Sequence, residues 1–242
     1  MTTTASAVIV GAGPGTGAEI AKRFAAEGYA VALARRSADV LAPLVAEIEA
    51  SGGAAKAFAV DASDESAVAG LFAAAESDLG PLEVAVFNAA GFASGSILET
   101  SIREFEAMWR TSALGGFLVG REAARRMVPR GRGTILLTGA TASVKANAGF
   151  AAFAAGKHGL RAVAQSMAKE LGPKGVHVAH LIVDGIIDVP RVHEQMPGLT
   201  ASKGADGLIS PRNIADIYLW VHRQPRDAWT FELDIRPFKE PW

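Results

Sequence analysis

The stretch that decides the fold is Ala7-Val8-Ile9-Val10-Gly11-Ala12-Gly13-Pro14-Gly15-Thr16-Gly17, followed by a segment in which Ile20, Ala21 and Phe24 recur at helical spacing. An apolar run, a glycine-rich turn and a helix, in that order, make the opening unit of a dinucleotide-binding α/β fold. Glycines let the backbone approach a pyrophosphate, and the N–H groups at the following helix N-terminus can meet its charge. A tight turn with no ligand is the other reading of these residues taken alone.

Outward from this unit, short apolar runs alternate with helical segments along the chain, which predicts a parallel sheet with helices on both faces. Seven strands are expected, near 7–10, 30–34, 57–60, 84–87, 134–138, 176–182 and 230–235. Most are apolar throughout, as strands buried on both faces should be. Val40, Leu41, Leu44, Val45 and Ile48 predict an amphipathic helix capped by Ser37, and Ile214, Ile217, Tyr218 and Val221 predict another behind Ser210-Pro211. Ser63, ahead of Asp64 and Glu65, is the expected cap of a third. Residues 190–210 carry three glycines, a Pro-Gly pair and no clear periodicity, and are expected to form a mobile substrate lid. Residues 1–242 thus read as one domain: α/β, a doubly wound Rossmann fold with a seven-stranded parallel sheet.

Composition narrows the function. A net charge of -1 gives no field that would gather nucleic acid or anionic membrane, so the basic run Arg121, Arg125, Arg126, Arg130 and Arg132 is expected to be a solvated helix end. The absence of cysteine excludes disulfides, thiolate nucleophiles and cysteine zinc sites. No apolar run reaches bilayer-spanning length and no basic segment precedes Ala7, so a cytoplasmic protein is expected, with a small-molecule substrate and neither nucleic acid nor membrane as partner.

The second expected strand ends at Arg35-Arg36, where a dinucleotide site that binds a ribose 2′-hydroxyl would carry an acid. Two guanidinium forks suit a 2′-phosphate instead, so NADP(H) is preferred to NAD(H). Surface arginines without a ligand are the alternative.

With these residues in hand, the whole chain resembles the short-chain dehydrogenase/reductase family. The resemblance rests on Gly11, Gly15 and Gly17 in the glycine turn, on Asp61-Ala62 after the third strand, and on Asn88-Ala89-Ala90-Gly91 after the fourth. It implies that Gly11, Gly13, Pro14, Gly15, Thr16 and Gly17 hold the pyrophosphate, that Asp61 and Ala62 meet the adenine, and that residues 88–91 line the cofactor. It also implies that Gly185 and Ile187 lie near the nicotinamide carboxamide. The match there needs one inserted residue before Asp184, and Val189 replaces the usual threonine. Pairing through two long central helices into a dimer or tetramer is implied as well.

The family's catalytic group departs from its usual form. Lys157 matches the lysine, which in the family also holds the nicotinamide ribose hydroxyls, but Phe153 stands at the tyrosine, Ala140 at the serine and Ser112 at the asparagine. Phe153 removes the phenol that would exchange a proton with substrate, and Ala140 the hydroxyl that would hold the substrate oxygen. Phe153 reads either as a core aromatic in line with Phe150, Leu160, Val163 and Met167 or as a wall of the substrate pocket. Thr138, Thr141, Ser143 and Lys145 are nearby replacement donors, His158 reads as a surface histidine, and Asp184 stands out where the family has proline. Two functions follow: an oxidoreductase that moves hydride to a polarised C=C, C=N or C=O bond without the tyrosine, or a catalytically silent NADP(H)-binding protein.

Overall fold

The computed structural model describes residues 5–240, so the reading of the first four residues falls outside it. The apolar runs become strands β1 (Ser6–Val10), β2 (Ala30–Arg35), β3 (Ala54–Ala59), β4 (Leu82–Phe87), β5 (Thr134–Thr138), β6 (His177–Val183) and β7 (Glu232–Ile235). They form one sheet in the order β3-β2-β1-β4-β5-β6-β7, with every pairing parallel. The chain leaves β1 to one side for β2 and later returns to its other side with β4. That reversal opens a crevice at the carboxyl ends of the strands, where doubly wound sheets bind ligands.

Helices α1 (Thr16–Ala26), α2 (Ala42–Ala50) and α9 (Pro211–His222) cover one face through Ile20, Phe24, Ile48, Ile214 and Tyr218. Helices α3 (Glu65–Leu79), α5 (Gly115–Met127) and α6 (Ala151–Leu171) cover the other through Phe72, Leu118, Met127, Leu160 and Leu171. Between β4 and α5, α4 (Ile102–Trp109) begins in a Ser101/Glu104 capping box and runs into α5 through one π turn at Arg110–Leu114.

Two local expectations about helix caps are corrected, and the lid segment proves to contain helices. Asp64, not Ser63, caps α3, accepting from the Ala67 N–H, while Ser63 donates to Asp61; a carboxylate is the stronger acceptor at a helix N-terminus. Ser37 makes no capping bond, because a 3₁₀ turn at Ala38–Leu41 separates it from α2. The region 190–210 is partly ordered into helices α7 (Pro190–Gln195) and α8 (Pro197–Lys203), each opened by its proline, and Ile209 pairs with Ile187. Such short helices hold too few turns to leave a periodic trace.

The arginine run is not a solvated end either. Arg126 pairs with Glu76 at 3.0 Å and with the buried Glu122 at 2.8 Å, and Arg130 and Arg132 both reach Glu83. The acids that hold these arginines come mostly from other elements, which the local sequence does not reveal.

A directional polar chain ties the sheet to α9. The wholly buried Tyr218 hydroxyl lies 2.6 Å from Thr138 Oγ1, Thr138 donates to Asn88 Oδ1 at 3.0 Å, and Asn88 Nδ2 donates to the Gly11 carbonyl at 3.1 Å. Thr138 has one proton and gives it to Asn88, so Tyr218 is the donor at the first link. Burial pushes the phenol well above its ordinary value, keeping it protonated for this role. Tyr218→Phe should cost about 1 kcal/mol in urea unfolding, the usual net value of one hydrogen bond. An unchanged midpoint would show that the link carries no net stability.

Candidate active site

The glycine turn divides into positions required by packing and positions open to a ligand. A Cβ on Gly11, whose φ is +93°, would stand 2.4 Å from the Ala89 nitrogen, and one on Gly17 would stand 2.3 Å from the Gly11 oxygen. Both serve the close approach of β1 to the turn after β4 and to α1. A Cβ on Gly13 would meet only Arg35 Nη1, at 3.6 Å, so this glycine faces the crevice. Pro14 is exposed beside it, Thr16 is buried at the start of α1, and Gly15 lies against Val189 from the segment after β6.

Arg35 lies beside this turn and Arg36 follows it, exposed, and among the described residues neither side chain has a hydrogen-bond or ion-pair partner, unlike the arginines of α5. Asp61 is exposed and turns Oδ1 toward the Ser63 N–H and hydroxyl, at 2.8 Å each, and Ala62 is buried beside it. Asn88 spends its side chain on the polar chain to Gly11, leaving Ala89, Ala90 and Gly91 to present backbone; a Cβ on Gly91 would meet Met108 Cε at 2.5 Å.

Helix α6 carries Phe153, Lys157 and Arg161 one turn apart on one face. Lys157 is buried, donates from Nζ to the Thr138 carbonyl at 2.9 Å, and is pulled down to about 8 by desolvation. Phe153 is half-buried, its ring 5.4 Å from that of Phe92, which also meets Phe150 at 5.9 Å. It belongs to an aromatic wall rather than to the core. The Ala140 N–H donates to Ser143 Oγ at 3.1 Å. Ser112 sits in the π turn, buried, with no partner for its hydroxyl among the described residues. Of the other candidates, Thr138 and Ser143 are committed to internal bonds, Lys145 is exposed, and His158 is exposed with Nδ1 3.0 Å from the Ala154 carbonyl. Tyr29 lies at the opposite end of β2, paired with His222 at 2.7 Å.

A charged array lies just past the carboxyl ends of β5 and β6. Asp184, at the end of β6, accepts from the Thr141 hydroxyl and lies 3.0 Å from Arg236, which also pairs with Asp234. A Cβ on Gly185, whose φ is +153°, would stand 2.8 Å from Pro237, so the segment after β7 lies over this turn. Below, the wholly buried His180 turns Nδ1 to Glu232 at 3.0 Å, and Arg161 holds Glu232 in a two-pronged bond of 2.6 and 2.8 Å. Burial lowers His180 to about 4, so it is neutral and donates from Nδ1. Its Nε2 lies 2.5 Å from where a Cβ on Gly139 would stand, which makes Gly139 a position for glycine alone. The signal that could have found Glu232 and Arg236 is their even spacing along one strand face, matching His180 and Asp184 on the neighbour.

Comparison with known proteins decides what this arrangement belongs to. The family model for short chain dehydrogenase matches residues 5–198. The chain belongs to that family. Family members with like sequences include the 1-deoxy-11-beta-hydroxypentalenate dehydrogenase of Streptomyces exfoliatus, 33% identical over 88% of this chain and 78% of the relative. A short-chain dehydrogenase from Rhodopseudomonas palustris, solved by crystallography, is 46% identical, superposes with a TM-score of 0.84, and covers 97% of this chain and 99% of its own. A metagenomic short-chain oxidoreductase solved in complex with NADP is 27% identical, with a TM-score of 0.81 and 98% of each chain covered. As a short-chain dehydrogenase, the protein is an oxidoreductase that uses a nicotinamide cofactor.

Proposed function

We propose that this chain is an NADP(H)-dependent oxidoreductase that moves hydride between the cofactor and a small polarised C=C, C=N or C=O substrate without a catalytic tyrosine. The observation that carries the cofactor choice is the pair Arg35 and Arg36, whose side chains have no hydrogen-bond or ion-pair partner among the described residues, with Arg35 beside the open Gly13. The solved relative that holds NADP supports it. When bound, the cofactor supplies or takes the hydride. Gly13, Pro14, Gly15 and Thr16 would hold its pyrophosphate, Arg35 and Arg36 its 2′-phosphate, and Asp61 and Ala62 its adenine. The backbone at Asn88, Ala89, Ala90 and Gly91 would line the ribose, Lys157 would take the nicotinamide ribose hydroxyls, and Gly185 and Ile187 the carboxamide. Phe153, Phe92 and Phe150 would form an apolar wall for the substrate.

NADPH should bind about tenfold tighter than NADH in a fluorescence titration, because charge-assisted bonds to a partly solvated phosphate are worth about 1.5 kcal/mol or more. Equal affinities would mean that the arginines face solvent and the cofactor choice is wrong.

A second reading, a silent NADP(H)-binding protein, is favoured by the Phe153 ring packed on Phe92 where a phenol would act. Tight NADPH binding with no hydride transfer across a broad panel would select it. In either reading the chain works in the cytoplasm as a dimer or tetramer. The exposed apolar side chains of Ile102, Phe105, Trp109 and Phe117 on α4 and α5 supply the pairing surface, and light scattering tests it.

A further inference from the structure

Ala140 and Phe153 leave the site without the two hydroxyls that would meet a substrate oxygen. One residue beyond Ala140, however, Thr141 is half-buried and donates its hydroxyl proton to Asp184 Oδ1. Asp184 is only 4% exposed, and its other oxygen lies 3.0 Å from Arg236. The hydroxyl is therefore the reachable end of the array, and the carboxylate stands behind it. Both lie just past the carboxyl ends of adjacent strands, β5 and β6, on the Lys157 side of the crevice.

The direction of the bond limits what Thr141 can meet. Its single proton is committed to Asp184, so toward any other group its Oγ offers lone pairs. A lone pair accepts from an O–H and repels a carbonyl oxygen, and C=C or C=N groups without a proton gain nothing from it. We propose that Thr141 is a catalytic residue of this enzyme, accepting the hydroxyl proton when an alcohol substrate of the family's usual kind is oxidised, and that Asp184 and Arg236 are positioning residues behind it. The inference rests on the NADP(H) oxidoreductase reading above and supplies the proton acceptor that Phe153 and Ala140 leave out.

The step balances. The carbinol C–H bond breaks and its electron pair leaves as hydride to the oxidised cofactor, while the C–O bond becomes C=O. The hydroxyl proton passes to Thr141 Oγ as the proton of Thr141 moves to Asp184 Oδ1, with the Arg236 charge remaining in place. Carbonyl reduction retraces the same path, the proton returning from Asp184 through Thr141 to the nascent alkoxide.

The probe for the contact is hexafluoroisopropanol, a strong hydrogen-bond donor that resists oxidation, titrated by calorimetry into the protein saturated with NADP⁺. Thr141→Val should weaken its binding about tenfold and Thr141→Ser should leave it unchanged, with NADP⁺ affinity equal in all three proteins. With a panel of secondary alcohols, Thr141→Val should lower kcat about 10²-fold and remove the solvent deuterium isotope effect of the parent. Asp184→Asn should lower kcat about tenfold with the KM for NADP⁺ unchanged. Equal fluoroalcohol binding by Thr141→Val and parent overturns the proposal, as does a parent that reduces C=C or C=N acceptors and oxidises no alcohol. A parent that binds no NADP⁺ overturns it together with the cofactor reading. Fluoroalcohol binding that Thr141→Val weakens, in a protein that turns over no substrate, supports the contact and overturns the hydride-transfer reading.

Discussion

Lys157→Met is expected to raise the stability of the protein while weakening its hold on NADPH. Burial brings the folded Lys157 to about 8 from an ordinary 10.5, so the charged form is disfavoured in the fold. At 1.36 kcal/mol per unit, keeping it charged at pH 7 costs about 3 kcal/mol. The bond from Nζ to the Thr138 carbonyl, 2.9 Å long, offsets about 1 kcal/mol of that loss when methionine replaces it, leaving a gain of about 2 kcal/mol. The sign with pH follows from linkage. Between pH 8 and 10.5 the unfolded chain binds more protons at this site than the folded one, so the parent gains stability as pH rises through that window. The advantage of the variant should therefore be full well below pH 8, vanish near pH 10 and reverse by about 1 kcal/mol above pH 10.5, where only the lost hydrogen bond remains. Melting curves at pH 7 and pH 10 measure it, with about 4–8 °C expected at pH 7. A variant less stable at pH 7, or an advantage indifferent to pH, would show that Lys157 is not held at a cost. NADPH affinity should fall about tenfold or more through loss of the ribose contact, and an unchanged dissociation constant would remove that role.

Phe153→Tyr combined with Ala140→Ser should give about 10²-fold faster reduction of activated ketones or aldehydes with NADPH. The new phenol would stand one helical turn from Lys157, whose ammonium charge lowers a phenol from its reference near 10. The backbone at Ala140 is already held by Ser143, so the new serine hydroxyl is left for the substrate oxygen. Each single variant should gain less, since such groups act as a unit. A carbonyl panel assayed with NADPH binding and folding verified in each variant decides the matter. No gain in a folded, NADPH-binding double variant would mean that the aromatic wall of Phe92, Phe150 and Phe153 excludes the family's usual substrate pose.

The fold was legible because a parallel sheet buries its strands on both faces and writes each as an apolar run. All seven strands lie where such runs predict them, and the misjudged boundaries have physical causes. β3 begins at Ala54 rather than at 57 because it is an edge strand whose first residues alternate in exposure around Lys56. β4 begins at Leu82 because Glu83, inside the strand, is held by Arg130 and Arg132. The cofactor half of the candidate site was legible from the glycine turn, Arg35 and Arg36, since these lie on contiguous stretches. The other half was not. Asp184 stands out in the sequence but shows no partner there; Arg236, His180 and Glu232 acquire meaning only through the pairing of β6 with β7, and nothing local to Thr141 distinguishes it from Thr138 or Ser143 until their partners are seen.

The position of β1 at the centre of the sheet bears on how the chain assembles as it leaves the ribosome. β2 and β3 extend the sheet from one side of β1, and β4, β5, β6 and β7 extend it from the other, each in the order of its synthesis. Every strand after the first therefore meets a finished neighbour when it emerges, and none must be inserted between two others already paired. Each joining closes a long crossover, which makes single steps slow, but once β3 is in place its edge is fixed and each later strand only advances the opposite one. The Thr141–Asp184–Arg236 array lies at the last joint of that sequence, so the half-site that handles the proton would be completed only when β7 docks.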